Sequence, residues 1–261
     1  MAKSNKSKTV VLTIAGHDPS SGAGITADIK TIAAYRCYGL SCITALTIQS
    51  SRGVRDVEPV EGRIVSLILE ELANDVEISA VKIGMLGSAE VARAVSGFLR
   101  RHHFSHIVLD PILKSSSGAD LLSKDGRQIL REKLLSQATV ITPNTAEAAE
   151  LTGSEVRNVD QMKTAAVALQ RMQARNVIIT GGHLDLPVDL MSAVAGGVTL
   201  LKGEHVASSS THGTGCAFST ALACNLALGK SLMQAAKLAK AYVETGLRKA
   251  LQIGKGVGSV V

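Results

Sequence analysis

Two glycines and two threonines stand just ahead of a run of small, uncharged residues in Ser210-Thr211-His212-Gly213-Thr214-Gly215-Cys216-Ala217-Phe218-Ser219-Thr220-Ala221-Leu222-Ala223. The run reads as the start of a helix. A helix start leaves its first backbone N–H groups without partners and carries the positive end of the helix dipole. Several donors then converge on one point, and an anion belongs there. Cys216 falls in the first turn, a position that ordinarily lowers a thiol pKa. The expected chemistry is the holding of a phosphate, or of negative charge developing on one, with a thiol in the same site.

The other candidates each admit an ordinary structural reading beside a functional one. Asp18-Pro19-Ser20-Ser21-Gly22 is made of turn formers, yet so many small residues after a strand also let a ligand approach the backbone. Asn144 with Glu147 three residues on spells a capping box, or else a carboxylate at a strand end able to hold Mg²⁺ through water. Asp110, before Pro111, either caps a loop or faces a ligand crevice. Gln49 either satisfies backbone groups or reads the edge of a heterocycle with its donors and acceptor. His183 and His212 sit beside glycines in loops, where a single histidine is more often structural. Cys224 reads as an inert buried thiol. Gly22-Ala23-Gly24-Ile25-Thr26-Ala27 fits the loose dinucleotide-binding pattern and is discounted. Its glycines begin well past the strand end, and no acidic residue lies between Asp28 and Asp56 to hold a ribose. Gly229-Lys230-Ser231 is not a phosphate loop, because Cys224 stands where its first glycine belongs.

These residues need a frame. Hydrophobic residues make up 46% of the 261, aromatics only 2%, and there is no Trp, so Ala, Val, Ile and Leu must fill the core. That suits a buried parallel sheet flanked by helices and leaves no stacking platform for single-stranded nucleic acid. Strands are expected at 9–15, 41–48, 80–85, 106–110, 139–142 and 176–180, with helices at 25–38, 61–73, 89–101, from the cap Ser123 to about 135, 145–151 and 161–173. A hairpin follows over Gly196-Gly197 (189–194 and 198–205), and helices at 216–228 and 231–251 close the chain. This is an α/β three-layer sandwich with a mostly parallel central sheet, one domain over 9–261 behind a disordered basic tail, 1–8. Ligands in such folds bind at the carboxyl ends of the strands, where Gly16, Gln49, Gly84-Met85, Asp110, Asn144 and Gly181-Gly182 fall. The span 206–229 carries no formal charge, but its first half is Ser, Thr and Gly, which leaves too few helical residues to cross a bilayer. Its helix is expected to be buried and central. The four cysteines form no Cys-x-x-Cys pair, so a reduced, cytoplasmic setting is expected, and the net charge of +6 fits anionic small ligands. Residues 114–121, polar and glycine-containing, are the candidate flap.

Seven segments taken together carry a resemblance: Leu12 to Ile25, Ile43 to Gln49, Val81 to Gly87, Val108-Leu109-Asp110-Pro111, Ile141-Thr142-Pro143-Asn144, Gly181-Gly182-His183-Leu184 and Thr211 to Cys216. Their order and spacing resemble the bacterial hydroxymethylpyrimidine/phosphomethylpyrimidine kinases of thiamine biosynthesis, within the ribokinase-like superfamily. The resemblance implies two successive phosphorylations of an aminopyrimidine, with ATP and Mg²⁺, by a homodimer. By position it implies that Gln49 hydrogen-bonds the aminopyrimidine, while Gly16, Asp28, Met85 and Ile112 line its pocket with Ala15 and Thr47 near them. Gly213, Thr214, Gly215 and Cys216 form the anion hole. Cys216 stands where most sugar kinases of the superfamily have an aspartate base, and it either shapes the hole or, as we expect, takes the proton of the substrate hydroxyl. Asp110 and Glu147 sit at Mg²⁺, and Thr211, Asn144, Thr180 and Lys114 at the nucleotide and its phosphates. Family members often carry Lys where this chain has Thr180 and Ser116, and Ser or Thr where it has His17; Lys114 is the candidate replacement cation. A pyridoxal kinase of the same superfamily and a non-catalytic ligand-binding regulator on the same scaffold are the alternatives.

Overall fold

The computed structural model describes residues 8–182, 188–204, 206 and 210–260. The basic tail up to residue 7, His183, Leu184 and His205 lie outside them. Aliphatic runs make strands buried on both faces, and five such strands, with a sixth (Tyr38–Ser50) that is partly exposed, form the parallel middle of the sheet. They are β1 (Val10–His17), β2 (Tyr38–Ser50), β4 (Ala80–Ile83), β5 (Ile107–Leu109), β6 (Val140–Ile141) and β7 (Val177–Ile179). The edges are antiparallel: β3 (Gly53–Pro59) pairs with β2, and β8 (Val188–Ala193) and β9 (Gly197–Lys202) extend from β7. The order is β3-β2-β1-β4-β5-β6-β7-β8-β9.

Strand residues alternate between two helix layers. Leu12, Ile14, Val81, Ile83, Leu109 and Ile141 pack against α2 (Gly62–Asp75), α3 (Ala89–Arg101), α6 (Thr145–Thr152) and α7 (Val159–Arg171). In the same layer α4 (Lys124–Ile129) runs through a π-helical turn, Leu130–Leu134, into α5 (Leu135–Gln137). Val11, Ala80, Val108, Val140 and Ile178 face α1 (Gly24–Ala34), α8 (Thr214–Ala227) and α9 (Leu232–Arg248). Every residue of α8 from Cys216 to Leu226 is buried, which its small side chains allow. No described helix is long and apolar enough to cross a membrane.

The sandwich, α3, the Ser123 cap and the β8–β9 hairpin are as expected. Two elements differ. The helix expected over 25–38 stops at Ala34, because Arg36 turns into the left-handed region (φ +59°) and β2 begins at once, at Tyr38. β3 was not anticipated. Its residues are half-buried or exposed and three of the seven are charged, so it carries neither an apolar run nor a buried face. It completes a hairpin with β2, and Ser117 of the 114–121 segment lies on it: Val54 N–H donates to Ser117 Oγ at 3.3 Å. That segment is itself a tight hairpin closed by the Lys114–Asp120 bridge.

Candidate active site

The glycine loop after β1 and the turn before α8 meet at the carboxyl edge of the sheet. Asp18, almost fully buried, organises the first. Its Oδ1 accepts from Ser20 N–H (2.8 Å) and Ser20 hydroxyl (2.7 Å), and its Oδ2 from Gly22 and Ala23 N–H (3.2 and 2.9 Å). The turn reading of this segment is therefore right, and it has a second purpose. Asp18 Oδ2 also accepts from His212 Nε2 at 2.8 Å, which ties the glycine loop to the α8 turn. Burial works against the charge on Asp18, but the hydrogen bonds from His212 and Ser20 outweigh it and hold the carboxyl below its usual range. Gln49 completes the cluster: its amide nitrogen lies 3.3 Å from His212 Nε2, and its oxygen accepts from the Thr47 hydroxyl at 3.1 Å.

Neither α1 nor α8 has a side-chain cap at its N-terminus. The Gly24 N–H at the start of α1 faces the Cys216 thiol, and the Thr214 N–H at the start of α8 donates to the Thr211 carbonyl at 3.4 Å. Gly213 sits at φ +84°, and a Cβ there would stand 1.9 Å from the carbonyl oxygen of Gly22. Below this turn Asp110 ends β5. A Cβ on Gly215 would lie 3.9 Å from Asp110 Oδ2, which also accepts from the Ser219 hydroxyl at 2.9 Å. Burial pushes Asp110 up to about 6, against the pull of Lys82.

Asn144 and Glu147 form the capping box in full: Glu147 N–H donates to Asn144 Oδ1 and Asn144 N–H to Glu147 Oε2, both at 2.9 Å. The box does not exhaust Glu147. Burial, followed by the charge of Asp110, pushes its carboxyl up to about 8. Two buried carboxyl groups whose charges repel each other fit Mg²⁺, which takes one or two carboxylates and leaves its other positions to phosphate and water. Folded Glu147 keeps its proton between about pH 4.5 and 8 while the unfolded side chain releases it, so it takes stability away as pH rises through that window. Glu147→Gln preserves the cap and removes the titration. Urea unfolding at pH 5, 6.5 and 8 should show the variant gaining on wild type by up to about 1 kcal/mol per pH unit. A constant difference across those three values would show that Glu147 ionises freely.

Ala15, Gly16, Met85 and Ile112 lie close together: a Cβ on Gly16 would meet Met85 Sδ at 2.7 Å, and one on Gly84 would meet Ala15 Cβ at 3.3 Å and Ile112 Cδ1 at 3.6 Å. Thr47 is buried beside them and donates to the His17 carbonyl at 2.9 Å. Thr180 and Asn144 are bridged across β7 and β6, and Thr211, exposed, accepts Thr214 hydroxyl at 3.1 Å. Lys114 is paired with Glu150 at 3.4 Å.

Two expectations need correction. Asp28 does not line an open pocket. It is fully buried, and both its oxygens are taken: Lys82 Nζ lies 2.8 and 3.1 Å away, Thr220 donates to Oδ1 at 2.7 Å and Thr13 to Oδ2. The Cys216 thiol is not activated at rest. Enclosure pushes it up to about 12, although Lys82 and the Gly24 N–H pull the other way. The helix-terminus rule assumes a thiol in contact with water, and this one is 7% exposed. A protonated Cys216 cannot accept the substrate proton as it stands. Lys82 itself was overlooked. Its one signal in the sequence is a lysine between Val81 and Ile83 in a run too apolar for a surface strand.

The profile of the family described as Phosphomethylpyrimidine kinase matches residues 18–261. The chain is 42% identical to the hydroxymethylpyrimidine/phosphomethylpyrimidine kinase of Haemophilus influenzae, over 95% of its own length and 94% of the relative's. Its fold is similar to the crystal structure of phosphomethylpyrimidine kinase from Clostridium difficile (TM-score 0.81, 37% identity, 90% of this chain and 98% of that one). It is similar as well to pyridoxal kinase from Staphylococcus aureus in complex with AMP-PCP and pyridoxal (TM-score 0.86, 32% identity, 97% and 92%). With an α8 N-terminus that has no side-chain cap beside the buried Asp110, and a match over nearly the whole sequence, the chain is a phosphotransferase and belongs to the phosphomethylpyrimidine kinase family.

Proposed function

We propose that the protein transfers the terminal phosphoryl group of ATP to the hydroxymethyl group of 4-amino-5-hydroxymethyl-2-methylpyrimidine, and then a second one to the monophosphate, giving the pyrophosphate used in thiamine biosynthesis. The observation that carries this reading is the uncapped α8 N-terminus, held against Gly22 and facing Asp110. Transfer of a phosphoryl group needs positioning and charge neutralisation more than covalent chemistry. The N–H groups of Gly213 to Cys216 supply fixed donors for the charge on the moving group, and Cys216 closes the hole as a neutral thiol. Thr211, Thr180, Asn144 and, from the 114–121 hairpin, Lys114 form the nucleotide side. Asp110 and Glu147 hold Mg²⁺, which neutralises phosphate charge when bound. Gln49, oriented by Thr47, reads the aminopyrimidine over Ala15, Gly16, Met85 and Ile112, with Asp28 supporting the floor from below. A homodimer working in the cytoplasm belongs to the same proposal, on the strength of the family.

The test is ADP release with Mg²⁺ and each of hydroxymethylpyrimidine, its monophosphate and pyridoxal. Turnover of both pyrimidines, faster than pyridoxal, is expected. Turnover of pyridoxal alone would move the chain to the activity named for the Staphylococcus aureus neighbour, and nucleotide binding without turnover would make it a binding protein. Gln49→Ala should lower kcat/KM for the pyrimidine about tenfold or more, the worth of a hydrogen-bonding pair left unmade, and leave the KM of ATP unchanged. An equal loss for both substrates would remove Gln49 from the pyrimidine pocket.

A further inference from the structure

The proposed function makes no use of the buried lysine of β4. Lys82 is 0% exposed, flanked in the sheet by Thr13 and Val108, and its side chain lies on the face turned toward α1 and α8. Its ammonium is clamped by Asp28, which Thr220 of α8 also holds. Cys216 is four residues before Thr220, one turn nearer the α8 N-terminus on the same helix face. Lys82 extends along β4 toward the edge of the sheet where α8 begins: a Cβ on Gly84, two residues further along the chain, would lie 2.8 Å from Nζ. Glycine at 84 is what leaves the ammonium its place. Burying a lysine is costly, and an apolar pair would hold β4 to α1 as well as an ion pair does. The charge of Lys82 is coupled most strongly to Asp28, then to Cys216 and Asp110.

We propose that Lys82 is a positioning residue for phosphoryl transfer: a fixed positive charge, seated by Asp28 and by the missing side chain of Gly84, that steadies negative charge beside Cys216 beneath the α8 N-terminus. The inference rests on reading that N-terminus as the transfer site, so its decisive measurement is independent of turnover. The double variant Lys82→Met/Asp28→Asn removes both charges together and leaves neither bare. In the substrate-free protein at pH 8, iodoacetamide alkylation of Cys216, followed on its peptide by mass spectrometry, should slow about tenfold, the effect of losing one pKa unit of thiolate stabilisation. With ATP and the pyrimidine, kcat should fall about 100-fold while the KM of ATP stays within about threefold. Gly84→Ala, which keeps both charges and pushes Nζ aside, should slow alkylation in the same sense, and it decides the matter if the double variant does not fold. Unchanged alkylation in a folded variant overturns the proposal whatever happens to kcat, because Lys82 is then only the partner of Asp28. Slowed alkylation in a protein whose wild type phosphorylates nothing leaves Lys82 its place beside Cys216 and sinks the kinase reading instead.

Discussion

Gly213→Ala should lower kcat by about 10³-fold or more, since a displaced donor turn loses both alignment and at least one oxyanion-type hydrogen bond. The backbone at 213 is left-handed (φ +84°), which an L side chain adopts only under strain. The larger obstacle is spatial. The new methyl group would stand 1.9 Å from the Gly22 carbonyl oxygen, and a backbone oxygen cannot rotate away as a flexible side chain can. The two loops must part. Gly22 cannot follow, because His212 is packed on it and is pinned by Asp18. The N–H groups of Thr214 to Cys216 then no longer converge where the phosphoryl group passes. Steady-state ADP release measures the loss, and far-ultraviolet circular dichroism checks that the fold survives. A variant that kept a tenth of wild-type kcat would show that the turn tolerates displacement and that its donors are not the centre of the chemistry.

Asp28→Ala should cost about 3–5 kcal/mol of unfolding free energy, the usual effect of stripping one partner from a buried ion pair. The substitution leaves the Lys82 ammonium without a counter-charge in a fully buried position and orphans the hydroxyls of Thr13 and Thr220. Thr220→Val, which removes a single hydrogen bond and keeps the charges paired, should cost only about 1 kcal/mol. Urea unfolding of the two variants beside wild type gives both numbers. Equal and small losses would mean that water reaches Lys82 and that β4 is less tightly covered by α8 than the contacts indicate.

The architecture was legible because most of its parallel strands are apolar runs and several of its helices begin at recognisable caps such as Ser123 and Ser231. The edge strand β3 was not, since nothing in Gly53–Pro59 distinguishes an exposed strand from a polar loop. At the site, the anion turn and the acids Asp110 and Glu147 were visible as residue types at strand and helix ends. For Asn144 and Glu147 the ordinary and the functional readings prove compatible: one carboxylate oxygen caps the helix while burial beside Asp110 tunes the group. What stayed hidden was pairing over distance. The bonds of Asp28 to Lys82 and Thr220 span 54 and 192 positions, so no local pattern tells that its oxygens are taken. The Cys216 thiol failed for a related reason: its position on the helix is local, but its burial under the folded sheet is not.

The same separation orders the folding of the chain. Strands β1 to β7 can pair as the polypeptide lengthens, because the helices that connect them come between them in sequence. α8 arrives late, with only α9 after it, but packs across β1, β4 and β5, the first-made part of the sheet. Until it docks, Lys82 and Asp28 stay wet, and the Gly22–Gly213 contact does not exist. The nascent enzyme therefore holds a nearly finished sheet that lacks the α8 turn. Competence for ligands comes in one late step, and a nucleotide added during refolding speeds nothing before α8 closes and stabilises the whole domain after it.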